Sequence, residues 1–273
     1  MMKFLKMHGL GNDFVILDYR EDHVALMPDY IQQVCDRHFG IGCDQLIILE
    51  PTKKADLFMR IYNPDGSEAE SCGNATRCVA DLFMSEAGIS HCVIETRGGL
   101  LECRRTGDGL VSVDMGPPRL NWRDIPLSKE TDTLNLGIKK GPVQDPVGVN
   151  MGNPHCVFFV KDVADIAVDT LGPVFETHKM FPQKANISFA QILGDSRIRL
   201  RVWERGAGIT LACGSAACAT AVAAVRRGLT GRDVAIEMDG GVLQIEWREG
   251  DGHVLMSGPV AYVFEGHISR PKH

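Results

Sequence analysis

Hydrophobic and polar residues alternate with a period of two through much of the chain, in short runs rich in Val, Ile and aromatic residues. FVILDY, QLIILE, LFMRIYN, CVIETR and LVSVDM come first, then CVFFVKD, IRLRVWE, VAIEMD and VLQIEW. Alternation of this kind sends successive side chains to opposite faces of a pleated strand, so these runs predict strands. Turn-forming steps such as Asp65-Gly66, Gly98-Gly99, Gly107-Asp108-Gly109 and Gly240-Gly241 separate them. The period becomes helical in only a few places. PDYIQQVCDRH, residues 28–38, opens on a proline suited to a first helical turn. After Cys72, the residues Ala75, Cys78, Val79, Leu82 and Phe83 recur on one helical face, and Gly88 is a natural stop. After Cys213 nearly every residue is apolar until Arg226, which predicts a helix buried on all sides.

The pattern is written twice. The offset that lays Cys72 on Cys213 also lays Asn12 on Asn153, Gln45 on Asn186, Arg60 on Arg201 and Asn63 on Glu204. With one residue inserted, the run from Glu95 to Gly99 meets the run from Glu237 to Gly241, and Met115-Gly-Pro meets Ser257-Gly-Pro. A repeat this long indicates a duplicated domain rather than a solenoid. The expected fold is α/β (α+β), with two similar lobes related by a pseudo-twofold axis. Each lobe is expected to be a strongly curved, mostly antiparallel sheet wrapped around a central helix. The expected boundaries are 1–118 for the N-terminal lobe, 119–262 for the C-terminal lobe and 263–273 for a C-terminal tail, with 119–147 as the connecting segment.

Composition narrows the function. The net charge of −6 offers no basic stripe, which argues against nucleic acid as a partner. No run is long and apolar enough to suggest a membrane span or a secretory leader, so a cytoplasmic protein is expected. Nine cysteines, an odd number spread along the chain, fit a reducing compartment better than a disulfide framework.

Two of those cysteines stand at the heads of predicted helices, each followed by Gly and a small polar residue: Cys72-Gly73-Asn74 and Cys213-Gly214-Ser215. A helix N-terminus presents unpaired N–H groups and partial positive charge, which favours a thiolate and binds carboxylates. Glycine after the cysteine lets a ligand approach the backbone. If the pseudo-twofold axis brings the two heads face to face, the cysteines flank one carboxylate-bearing substrate. One thiolate then removes the proton α to the carboxylate, the other thiol returns one from the opposite side, and the stereocentre inverts. A competing arrangement makes zinc ligands of Cys72, Cys78, Cys213 and Cys218. The spacings exceed those of the usual knuckle, and Cys78 and Cys218 fall on apolar helix faces, so these two are expected in the core. No metal is implied by the histidine spacing, and no motif singles out a lysine for pyridoxal phosphate.

The segments KMHGLGNDFVILD, NPDGSEAESCGNATRC, NMGNPHCVFFV and WERGAGITLACGSAACA together closely resemble diaminopimelate epimerases, from Lys6 to about Gly266. The resemblance implies a cofactor-independent epimerase that interconverts LL- and meso-diaminopimelate for lysine and peptidoglycan synthesis, in a homodimer. It assigns the acid/base pair to Cys72 and Cys213, with His155 and Glu204 assisting. Substrate-binding positions carry over onto Asn12, Gln45, Asn63, Gly73, Asn74, Asn153, Asn186, Glu204, Arg205, Gly214 and Ser215. The sequence departs from the family's common pattern at Ala75-Thr76, where Gly-Ala is frequent, and at Ser215-Ala216, where Thr-Gly is common. These changes cost little where the backbone N–H groups act. The rival chemistry is a proline racemase-like enzyme, also with two cysteines; a non-catalytic member of the fold is the alternative of another class.

Overall fold

The structure, a computed structural model, describes residues 1–21 and 26–269. The chain divides into two compact units, Met1–Val113 with Gly258–His273, and Asp114–Ser257.

The first unit opens with strands β1 (Met2–Gly9) and β2 (Asn12–Asp18), followed by helix α1 (Pro28–Cys35). Strands β3 (Gln45–Glu50), β4 (Leu57–Tyr62) and β5 (Glu68–Ala69) lead to helix α2 (Gly73–Ala87), then β6 (His91–Thr96), β7 (Gly99–Arg105) and β8 (Val111–Asp114). Among the described residues, the pairings within the unit are antiparallel except β2–β3 and β4–β6. The C-terminal strand Ala261–Ile268 runs antiparallel to β1, with Met2 opposite Ile268, so this part of the expected tail is paired sheet. Helix α2 lies against β1 and β2 at one side of the strand order and β6 and β7 at the other, so the sheet curls around it.

The second unit repeats this plan. A two-residue hairpin, β9 (Lys139–Lys140) and β10 (Val143–Gln144), precedes β11 (Val147–Asn150), β12 (Pro154–Phe159), helix α3 (Val168–Glu176) and β13 (Asn186–Gly194). Then come β14 (Arg197–Glu204), β15 (Gly208–Ile209), helix α4 (Gly214–Arg226), β16 (Asp233–Met238), β17 (Gly241–Trp247) and β18 (Val254–Gly258). The parallel pairings fall at the equivalent places, β12–β13 and β14–β16. Helix α4 lies against β11, β12, β13, β16 and β17.

Burial follows the sequence pattern. In β4 the residues Leu57, Met59 and Ile61 are buried and their neighbours half-buried, as a period of two requires. The parallel pair β2–β3 is buried on both faces, which is why FVIL and LIIL read as unbroken apolar runs. Helix α4 is buried from Ala216 to Ala224, as its composition predicts. Cys78 and Cys218 are fully buried core residues. Gly88, in the left-handed region at φ 66°, caps α2.

Three features differ from the expectations. Helix α1 ends at Cys35, three residues before His38, because the Asp36 carboxylate accepts from the N–H groups of His38 and Phe39 and turns the chain. Helix α3 was not anticipated: its Gly172-Pro173 step reads as a breaker. Gly172 is there because a Cβ would run into the indole of Trp203. The segment 119–147 is more than a connection. Its Ile125, Leu127, Leu136 and Ile138 share a core with Phe158, Phe175 and Phe189, and the rings of Phe158 and Phe175 lie 4.5 Å apart.

Candidate active site

In the first unit the turn between β1 and β2 carries Leu10 and Gly11 at φ 59° and 84°. Gly9 and Asn12 pair across it, making a two-residue hairpin of the kind that needs positive φ at both central positions. A leucine there is strained, and the strain is accepted where the turn delivers Asn12. Gly9 lets the hairpin close on the head of α2: a Cβ would come within 2.8 Å of Arg77 Nη2.

Cys72 is the N-cap of α2, with extended backbone, and its side chain makes no capping bond. The first turn holds no acidic residue, so its positive end is not neutralised from within. The Cys72 thiol donates to Asn12 Oδ1 at 3.8 Å, and Asn74 Nδ2 donates to the same oxygen at 3.1 Å. Gln45 Nε2 donates to Asn63 Oδ1 at 3.0 Å, and Asn63 Nδ2 donates to Ser67 at 3.1 Å. The predicted residues of this unit thus gather as Asn12 with Cys72 and Asn74, and as Gln45 with Asn63.

Behind Asn12 lies a charged network that sequence reasoning missed. Asn12 Nδ2 donates to Asp44 Oδ2 at 2.9 Å, Arg37 donates to both Asp13 and Asp44, and Lys6 donates to Asp13 and to the Gly42 carbonyl. Burial raises the Asp13 carboxyl, but the hydrogen bonds and charges of Arg37 and Lys6 outweigh it and hold it at about 2. The available signal was adjacency: Asp13 follows Asn12 and Asp44 precedes Gln45.

The second unit holds the equivalent set. Cys213 is the N-cap of α4, again with extended backbone, no side-chain cap and no acidic residue in the first turn. Its sulfur lies 3.6 Å from Ser215 Oγ. Burial pushes the Cys213 thiol well above its ordinary range and the adjacent Glu204 carboxylate adds to this, while the Ser215 hydroxyl and the Ala216 N–H act the other way. Glu204 therefore sits at the thiol, where Thr210 Oγ1 also donates to it at 2.5 Å. Thr210 is another residue the sequence did not single out. Asn186, buried at the head of β13, accepts from the Arg205 N–H at 2.9 Å and donates to the Pro154 carbonyl at 3.3 Å. The Arg205 side chain is exposed, and its Nη1 donates to the Gln183 carbonyl at 3.1 Å.

His155, fully buried on β12, donates from Nε2 to Asn153 Oδ1 at 2.7 Å. Its pKa is brought down to about 3, first by burial and then by the positive charge of Arg205. The ring is neutral at neutral pH, so what it offers is orientation of Asn153. A consequence for stability follows. The unfolded chain takes up a proton here below the ordinary value of 6.5, whereas the folded chain stays neutral until about 3, so folding stability falls as pH falls through that window. The expected loss across the window is on the order of a few kcal/mol. The Tm of the wild type should therefore drop more steeply from pH 6.5 to about 4 than that of His155→Gln, which keeps a donor but does not titrate. Parallel curves would show that His155 contributes nothing to acid sensitivity.

Comparison with known proteins gives a consistent picture. The family model described as diaminopimelate epimerase matches residues 4–121 and 147–263, one stretch for each copy of the repeat. The chain is 59% identical over 269 residues to the diaminopimelate epimerase of Rhodospirillum centenum (strain ATCC 51521 / SW), covering 98% of this chain and 92% of that protein. It is 56% identical to the diaminopimelate epimerase of Acidiphilium cryptum (strain JF-5), covering 97% and 95%. Among solved structures, it is similar to a phenazine biosynthesis protein of the PhzF family from Bacillus anthracis, with a TM-score of 0.72, 16% identity and coverage of 98% and 99%. A hydroxyproline epimerase from Agrobacterium vitis gives a TM-score of 0.70 at 14% identity, covering 97% and 91%. At such identities these two structures speak for the fold alone.

Proposed function

This chain belongs to the diaminopimelate epimerase family, and from that premise we propose that Cys72 and Cys213 are the acid and base that invert the substrate's α-carbon. The reaction is the epimerisation of diaminopimelate, here LL to meso and back. The observation that carries the residue assignment is the repetition: each unit wraps its sheet around one central helix, and each of those helices begins at a cysteine followed by glycine. The reading requires the two heads to address one substrate from opposite sides.

The chemistry proceeds from the resting states. Cys213, buried beside Glu204, is held as the neutral thiol and is the proton donor in one direction of turnover. Cys72 is then the base in that direction, and the roles exchange in the reverse direction. As the α-proton leaves, negative charge spreads onto the substrate carboxylate. First-turn N–H groups of α2 and α4, approached over Gly73 and Gly214, are the donors aimed at that charge. Asn74 and Ser215 complete the two helix heads.

The distal amino-acid group of diaminopimelate needs partners of both signs. Arg205 takes the distal carboxylate, and Asn63, Asn153 and Asn186 share the remaining donors and acceptors, with His155 fixing Asn153, while Asn12 and Gln45 complete the substrate-binding set. Glu204 has a part at both ends of this set, restraining the Cys213 proton and presenting a carboxylate toward the substrate's ammonium. A division into two lobes remains part of the same reading, as does a cytoplasmic homodimer. Tyr262, Val263 and Phe264, each about half exposed on the C-terminal strand, are the surface proposed to meet the second copy. No helix among the described residues is long and apolar enough to cross a membrane. Incubation with LL-diaminopimelate tests the function: appearance of the meso form supports it, and folded protein without conversion would contradict it.

A further inference from the structure

We propose that Asp44 is a positioning residue for Cys72, acting through the side-chain amide of Asn12. This rests on the reading of Cys72 as an acid/base residue. Asp44 acts on the thiol through its hydrogen bond with Asn12.

An ionised carboxylate only accepts hydrogen bonds. Asp44 Oδ2 at 2.9 Å from the Asn12 amide therefore selects one of the two amide orientations, the one with Nδ2 toward Asp44. The other end of the amide, Oδ1, must then face the head of α2, where it accepts from the Cys72 thiol at 3.8 Å and from Asn74 Nδ2 at 3.1 Å. Turned over, Asn12 would present a donor to the sulfur and another donor to Asn74. The carboxylate is fixed in turn. Its Oδ2 accepts from the Asp13 N–H at 3.2 Å, and its Oδ1 accepts from Arg37 Nη2 at 2.8 Å. Asp13 reciprocates by accepting from the Asp44 N–H at 3.0 Å. The charged groups around this relay are Lys6 on β1, Asp13 on β2, Arg37 after α1 and Asp44 before β3, and Lys6 and Arg37 balance the two carboxylates. A carbonyl oxygen aimed at the sulfur favours the thiol and a donor favours the thiolate, so the orientation chosen by Asp44 sets the proton affinity and direction of the Cys72 S–H.

The test combines kinetics with the pH dependence of Cys72 alkylation by iodoacetamide, followed on the Cys72 peptide by mass spectrometry. In Asp44→Ala the amide is free to turn, so the alkylation midpoint is expected to fall by about one pH unit, a tenfold change in ionisation. The kcat for diaminopimelate is expected to fall by about tenfold while KM changes by less than about threefold. Asp44→Asn, which keeps an acceptor for Asn12 and loses the Arg37 pair, should restore most of both. Asn12→Ala should reproduce the midpoint shift, and adding Asp44→Ala to it should produce no further change, because the effect passes through Asn12. If Asp44→Ala does not fold, Asp44→Ser carries the same readouts. A folded Asp44 variant with a wild-type midpoint and kcat overturns the proposal, as does an additive double variant. Cys72→Ala distinguishes the two levels. If it is inactive while the Asp44 variants behave as wild type, only the positioning role fails. If it turns over normally, the assignment of Cys72 fails first.

Discussion

Replacing either Cys72 or Cys213 by alanine is expected to reduce epimerisation by at least about a thousandfold, the upper part of the range for a positioned acid or base. Inversion needs a proton acceptor on one face of the α-carbon and a donor on the other, and neither thiol can serve both faces. The fold offers no reason for either variant to collapse. Each cysteine is an N-cap whose side chain makes no capping bond, and the backbone bonds Cys72 O to Thr76 N and Cys213 O to Ala217 N do not depend on the sulfur. Cys78→Ala is the natural contrast. Cys78 is wholly buried on the core side of α2, with its thiol pushed up to about 12 by burial, so its loss should register in stability and leave turnover nearly intact. Turnover near wild type in either Cys72→Ala or Cys213→Ala would remove the two-thiol mechanism.

Arg205→Met is expected to lower kcat/KM for LL-diaminopimelate by about a hundredfold, equivalent to roughly 3 kcal/mol of lost transition-state binding. The guanidinium is exposed at the end of β14, steadied by the Gln183 carbonyl, while its own N–H anchors the buried Asn186. Methionine keeps that backbone bond and removes only the charged fork, which is the group able to hold a carboxylate through two parallel hydrogen bonds. Proline has no distal group to satisfy such a cluster and so forgoes the binding energy that the cluster supplies. The wild type should therefore leave proline almost unconverted. Efficient proline racemisation, or an Arg205→Met variant with undiminished diaminopimelate turnover, would overturn the distal-carboxylate role and leave the thiol chemistry untouched.

The strands, the duplicated plan and both helix heads were legible in the sequence because each rests on local regularities. A period of two marks half-buried strands such as β4, and Cys-Gly followed by a small polar residue marks both N-termini. Features decided by distant partners were not legible. Helix α3 hides behind Gly172-Pro173, a step explained only by the indole of Trp203 packed on it. The end of α1 depends on one Asp36 side chain competing with the helix for backbone N–H groups. Asp44, Arg37 and Lys6 carry ordinary surface chemistry in the sequence and converge behind Asn12 only once β1, β2 and the approach to β3 are laid side by side. His155 could be named from the resemblance, but its neutrality comes from complete burial on β12, which no spacing reveals.

The isotope pattern at low conversion tests the central claim most directly. With LL-diaminopimelate in deuterated water, the proton removed by one thiol stays on that side of the carbon, and the inverted product takes its new hydrogen from the other thiol, which has exchanged with solvent. The two-thiol account predicts that the first meso product carries deuterium at the inverted centre while the recovered LL substrate keeps its α-proton. Early meso product that retains the original proton, transferred from one face to the other by a single base, would contradict it.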